Sequence, residues 1–248
     1  ISGEVVKLYN VESLKDDSQY FQVDWFDVYS DVVKILVDIY NSDPVNASKY
    51  LYSKLNNFDF VKKNEWIARH ESGVMKGYEY IDPIHIFASF NDASLSVKSR
   101  TSRINSFFQC FEAPLFESIS FAGCPTPIVQ TTLSPRNLYT QKEIWEVFSD
   151  VSTRHQSANL NFEQVKEWYG LRIPMFTMFL FWIDSENFLS LDKNTTEFLK
   201  KNEVINSRPE TSTQYLTLLK EKDTDIYREI VSLAIGLQSE SSLKEGVE

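Results

Sequence analysis

Lys98, Arg100 and Arg103 fall close together, with Ser96, Ser99, Thr101, Ser102 and Asn105 standing among them. Ammonium, guanidinium, hydroxyl and amide donors at that density are suited to holding phosphate oxygens. From Ala93 to Lys142 five bases (Lys98, Arg100, Arg103, Arg136 and Lys142) face only Glu112 and Glu117, so the stretch carries +3 in a chain whose net charge is −10. An anionic protein does not coat nucleic acid non-specifically, so contact with DNA is expected to be local to this stretch. Arg136, Asn137 and the loop from Gln130 to Ser134 are the expected base-reading partners, because loops held by a scaffold carry recognition. The plainer alternative is a solvated helix face, the usual fate of a run of charge.

Other chemistries are thinly provided for. Cys110 and Cys124 form no C-x-x-C, and His70, His85 and His155 are scattered, so neither a disulfide framework nor a zinc site is expected. A reducing cytoplasm fits that cysteine usage. None of the seven glycines falls in a dinucleotide-binding or P-loop arrangement, and no cofactor is expected. The apolar run Ile173–Ile183 is about half the roughly 20 residues that span a bilayer, and the N-terminus reads without a charged, apolar leader. No membrane partner is expected.

The elements that must position these residues read as helices. Trp25, Val28, Val32, Ile35, Leu36 and Ile39 recur at helical spacing, with Asp24 placed to cap the start. Asp43-Pro44 ends that helix and Ala47–Leu55 predicts a second. Asn56 to Tyr80, broken by Gly73 and Gly77, is expected to hold a short hairpin or an ordered loop. Asp82-Pro83 is a helix-start pair, and Val97, Ile104, Phe108 and Phe111 predict a helix from about Leu95 to Cys110. Pro114, Gly123, Pro125, Pro127 and Pro135 concentrate turn chemistry between Ala113 and Tyr139, with a short strand expected at Ile128 to Thr132. Thr140 with Glu143, Asn161 with Gln164, and Asn194 with Glu197 fit the capping-box spacing and predict three helix starts. Tyr215–Leu219 and Ile226–Leu237 supply a closing pair. The fold class expected is mainly α: a helical, two-lobed but compact unit with an N-terminal lobe over 1–92, a loop-rich, locally basic middle over 93–140 and a C-terminal lobe over 141–248, holding at most a small β element.

From Trp168 to Ile183 the chain reads as a helix end, a turn centred on Gly170 and an apolar helix, which resembles a helix-hairpin-helix unit. In that family the hairpin backbone and the next helix hold a DNA phosphate. Arg172 stands where its second glycine usually is, and is taken as a DNA-binding candidate. Asp192 lies 22 residues after Gly170, a spacing similar to that between hairpin and catalytic aspartate in helix-hairpin-helix DNA glycosylases. The resemblance would make Asp192 the charge-stabilising carboxylate beside a flipped base; read locally, it is a helix cap. Pro174 stands where bifunctional members carry a Schiff-base lysine. Trp182, among Phe176, Phe179 and Phe181, is the aromatic candidate for probing a base, although helical spacing in an apolar segment predicts core.

Asp82-Pro83-Ile84-His85-Ile86-Phe87-Ala88-Ser89-Phe90-Asn91, Phe121-Ala122-Gly123-Cys124-Pro125 and Leu180-Phe181-Trp182-Ile183 leading to Phe188-Leu189-Ser190-Leu191-Asp192 together resemble the N-terminal region of McrB-like, methylcytosine-specific restriction GTPases of the AAA type. The likeness implies a specificity module that senses foreign or modified DNA for a motor domain or nuclease subunit. On that reading Lys98, Arg100, Arg103, Arg136, Asn137 and Arg172 bind DNA, and Gln130 and Trp182 probe bases. Two other roles remain open: a protein–protein adaptor using the acidic surface, and a glycosylase-like enzyme using Asp192.

Overall fold

The computed structural model describes residues 23–56, 58, 67–69, 75–77, 81–127, 138–168, 171–201 and 203–220. Their order is β1 (Val23–Asp24), α1 (Trp25–Ser42), α2 (Ala47–Leu55), β2 (Ile67–Arg69), β3 (Met75–Gly77), α3 (Pro83–Phe90), α4 (Val97–Cys110), β4 (Ile119–Ser120), α5 (Leu138–Arg154), α6 (Phe162–Lys166), α7 (Ile173–Ile183), α8 (Lys193–Lys201) and α9 (Ser212–Lys220). The fold is mainly helical, as the periodicity predicts. β2 and β3 form the expected antiparallel hairpin, pairing Ile67 with Gly77. A second, parallel pair joins β1 to β4, Val23 opposite Ile119, and periodicity gives no sign of it because each strand is only two residues long.

Two helices make the centre. Every residue of α3 is buried, and all of α7 except Pro174 is buried. A helix apolar on every side has no solvent face and must be wrapped by others. α7 packs against α1, α3, α5 and α6, while α3 also meets α4 and α5. Phe87 joins the two central helices, its ring 6.3 Å from Phe179 and 6.2 Å from Trp182. The boundaries at 92 and 140 do not divide the core: one hydrophobic cluster runs from Trp25 to Leu219.

The helix starts show which local signals hold. At α3, Asp82 Oδ1 accepts from the His85 N–H at 3.1 Å and the His85 ring accepts from the Asp82 N–H at 3.2 Å, a reciprocal cap closed over Pro83. Ser96 caps α4 through the Ser99 N–H. Asn161 caps α6, accepting from Glu163 and Gln164. Asp24 stands at the start of α1 but makes no side-chain cap there. Two expected caps shift. α5 begins at Leu138, so Thr140 lies within it, and the Glu143 carboxylate instead holds Gln164 Nε2 at 2.6 Å and Trp168 Nε1 at 2.8 Å. α8 is capped by Asp192 rather than Asn194. The strand expected at Ile128 to Thr132 and the helix at Ile226–Leu237 lie outside the described residues.

Candidate functional site

The basic stretch divides between inside and outside. Residues two apart on a helix point about 200° away from one another. Lys98 and Arg100 therefore face opposite ways along α4: Lys98 is exposed, while Arg100 is 7% exposed. Arg100 shares its face with Ile104, Phe107 and Phe108, all buried. A side chain closed off in this way does not meet a phosphate from solvent, so Arg100 is not among the phosphate contacts its place in the basic stretch predicts.

What Arg100 does meet is a buried polar knot around Asn91, the residue that ends α3. Arg100 Nε donates to the Phe90 carbonyl at 2.8 Å and its Nη2 donates to Asn91 Oδ1. The guanidinium carbon lies 3.7 Å from the Phe121 ring centre, a cation–π contact. The same Asn91 oxygen accepts from the Tyr29 hydroxyl at 2.8 Å and from the Cys124 thiol at 2.9 Å, and Asn91 Nδ2 returns to the Phe87 carbonyl. Gly123, at φ 71°, makes the turn that sets Cys124 against this knot. Burial pushes the Cys124 thiol up to about 11, against the lowering pull of Arg100. Burial, with Cys124 beside it, also holds the Tyr29 phenol well above its ordinary range. Both groups therefore stay protonated at neutral pH and serve as donors rather than nucleophiles. Phe90-Asn91 and Phe121 to Cys124 meet here as structural parts.

Trp182 lies in the core with 1% exposure, stacked at 21° on Phe87, with its indole N–H toward the Cys124 thiol. It is not presented to a base: α7 is wrapped on all sides, so its aromatic side chains pack inward.

The outer face of α4 is what remains for recognition. Lys98, Thr101, Ser102, Asn105, Ser106 and Gln109 recur at helical spacing and, with Glu117 and Ser118, line a groove of about 590 Å³ whose rim carries the exposed Val97 and Leu115. The helix contains no acid. Asn105 clamps the opposite wall, donating to the Phe116 carbonyl at 2.7 Å and accepting from its N–H at 2.9 Å. The Thr101 hydroxyl is buried without a hydrogen-bond partner among the described residues. Arg103 is half-buried and donates to the Ser89 carbonyl at 2.8 Å, so it braces α4 on α3 as well as edging the surface. Among the described residues no aromatic ring lines the groove, so they offer no stacking platform for a flipped base. Gln130, Arg136 and Asn137 lie outside the described residues.

Arg172 is exposed at the start of α7, apart from the α4 groove, and lines a different cavity with Lys166 and Arg208. Asp192 acts as a cap with both oxygens engaged: Oδ1 accepts from the Thr195 N–H at 2.9 Å, and Oδ2 accepts from the Ser190 hydroxyl at 2.9 Å and the Thr195 hydroxyl at 3.2 Å. That arrangement favours the local reading over the catalytic one. Asp192→Ala should cost about 1 kcal/mol of stability, read by urea unfolding. Abasic product from a modified duplex that vanishes in Asp192→Asn would instead restore the glycosylase role.

No helix among the described residues is long and apolar enough to cross a membrane. A family model described as a domain of unknown function (DUF8425) matches residues 25–235. No curated protein and no solved structure matches the chain.

Proposed function

The chain belongs to the DUF8425 family, and from its own surface and the sequence resemblance we infer that it is a DNA-recognition module of a McrB-like restriction or antiphage system, sensing foreign or modified DNA for a motor or nuclease partner. The observation that carries this reading is α4: an acid-free helix whose outer stripe exposes Lys98, Ser102 and Gln109, with Glu117 the one acid lining the groove among the described residues, on a protein of net charge −10. Hydroxyls, amides and a lysine position a polynucleotide backbone, and the surrounding negative charge confines it to that face. Arg103 contributes at the edge. Arg100 takes no part. Without an aromatic wall, the groove suits reading duplex shape and edges rather than an extruded base.

The test is duplex binding by fluorescence anisotropy across a salt series. The parent should lose affinity steeply as salt rises, and Lys98→Glu should weaken binding and flatten the slope by about one unit for the lost phosphate contact. Melting temperature should not move, because Lys98 is exposed. Parent-like binding by Lys98→Glu, or no salt-sensitive binding at all, would remove DNA from this face and leave the adaptor role in its place.

A further inference from the structure

Arg208 is half-buried, lies beside the buried Pro209, and is held through Nε, which donates to Thr196 Oγ1 at 3.3 Å. No carboxylate among the described residues lies within ion-pair distance of it. With Lys166 and Arg172 it lines a cavity of about 420 Å³ floored by Leu171, Ile173 and Pro174. The Arg172 side chain is exposed and its guanidinium makes no hydrogen bond or ion pair among the described residues. Lys166 is shared with Glu163, 2.7 Å away, and Glu210 also borders the cavity without an ion pair to either arginine, so the lining keeps an excess of positive charge. The start of α7 adds little by itself, since Arg172 cannot accept a hydrogen bond and Pro174 has no N–H. The side chains carry the argument.

We propose that this cavity is a phosphate-binding site in which Arg208 and Arg172 grip a phosphate group and Lys166 closes over it. A guanidinium anchored through Nε still offers both terminal nitrogens as a fork matched to phosphate oxygens, and its fixed position limits the ordering lost on binding. Lys166, Arg172 and Arg208 line the cavity against Glu210 alone, so among the described lining residues positive charge is in excess, and a dianion offsets it. A phosphate monoester and a DNA backbone phosphate share this chemistry. The site stands whether or not α4 touches DNA.

The experiment follows the arginine Nε–H resonances by NMR while inorganic phosphate replaces chloride at constant ionic strength. Arg172 and Arg208 should shift together and saturate, and exposed Arg154 should not. Arg208→Gln should weaken the Arg172 response at least tenfold. Should that variant fail to fold for want of the Thr196 contact, Arg172→Gln, which removes an exposed side chain, should weaken the Arg208 response likewise. Shifts that stay linear, or that Arg154 matches, would overturn the proposal by showing only general ion screening. A short duplex that moves the same two resonances and is displaced by phosphate identifies backbone phosphate as the source; a response to a mononucleotide 5′-phosphate but not to duplex identifies a free monoester. Both outcomes uphold the site. Repeating the titration in Lys98→Glu separates the two readings, because loss of duplex affinity there should leave the phosphate response of Arg172 and Arg208 unchanged.

Discussion

Arg100→Ala should destabilise the protein by about 3 kcal/mol while leaving the DNA affinity and salt slope of the folded variant where the parent has them. The truncation removes two charge-assisted hydrogen bonds, each worth about 1.5–3 kcal/mol, and a desolvated cation–π contact worth about 2. The guanidinium no longer has to be kept out of water, which offsets part of that loss. Its absence leaves the Phe90 carbonyl without the donor it has in the parent, while Asn91 Oδ1 keeps Tyr29 and Cys124. Arg100→Lys should recover only a fraction, because an ammonium cannot reach both acceptors and lie flat on Phe121. Urea unfolding gives the answer: a lower midpoint with unchanged slope is the expected result. Parent-like stability with weakened DNA binding would place Arg100 on the recognition face after all.

The same residue shows where the sequence was legible and where it was not. Asp82-Pro83 could be read directly, because every partner in that cap lies within four residues. The core stripe of α1 was equally open, since Val28, Val32, Leu36 and Ile39 are buried as their spacing requires. In the basic stretch, nearness along the chain is not nearness in space, because the helical repeat turns positions 98 and 100 to opposite faces. The signal that finds this is the apolar register of α4: Arg100 is four residues before Ile104 and falls on its stripe. Asn194 with Glu197 had the right spacing for a cap, yet Asp192 with Thr195 has the same spacing two residues earlier, and the shorter carboxylate with two nearby hydroxyls holds the helix end. What no local pattern could reveal is convergence at long range. Asn91 joins Tyr29, Arg100 and Cys124 from three other segments, and Arg208 reaches the start of α7 from 36 residues downstream. Those contacts exist only once α3 and α7 are packed and the connections have closed around them.

Trp182→Ala should be the most damaging single change, costing about 3–5 kcal/mol by leaving a cavity between the two central helices. Phe87 loses its stacking partner, and α7 loses a side chain facing the knot that contains Cys124. Trp182→Phe separates packing from recognition. It keeps an aromatic face against Phe87 and gives up the indole N–H that faces the Cys124 thiol, so it should cost roughly 1–2 kcal/mol, less than the alanine variant. If Trp182 is core and nothing else, the folded phenylalanine variant binds methylated and unmethylated duplexes with the parent's affinity for each. A base-probing tryptophan gives the opposite pattern: near-parent stability with loss of discrimination between the two probes. Because α3 and α7 are buried on nearly every side, a base could reach Trp182 only by parting them, and the energy of that opening would have to be drawn from the contacts on which the fold depends.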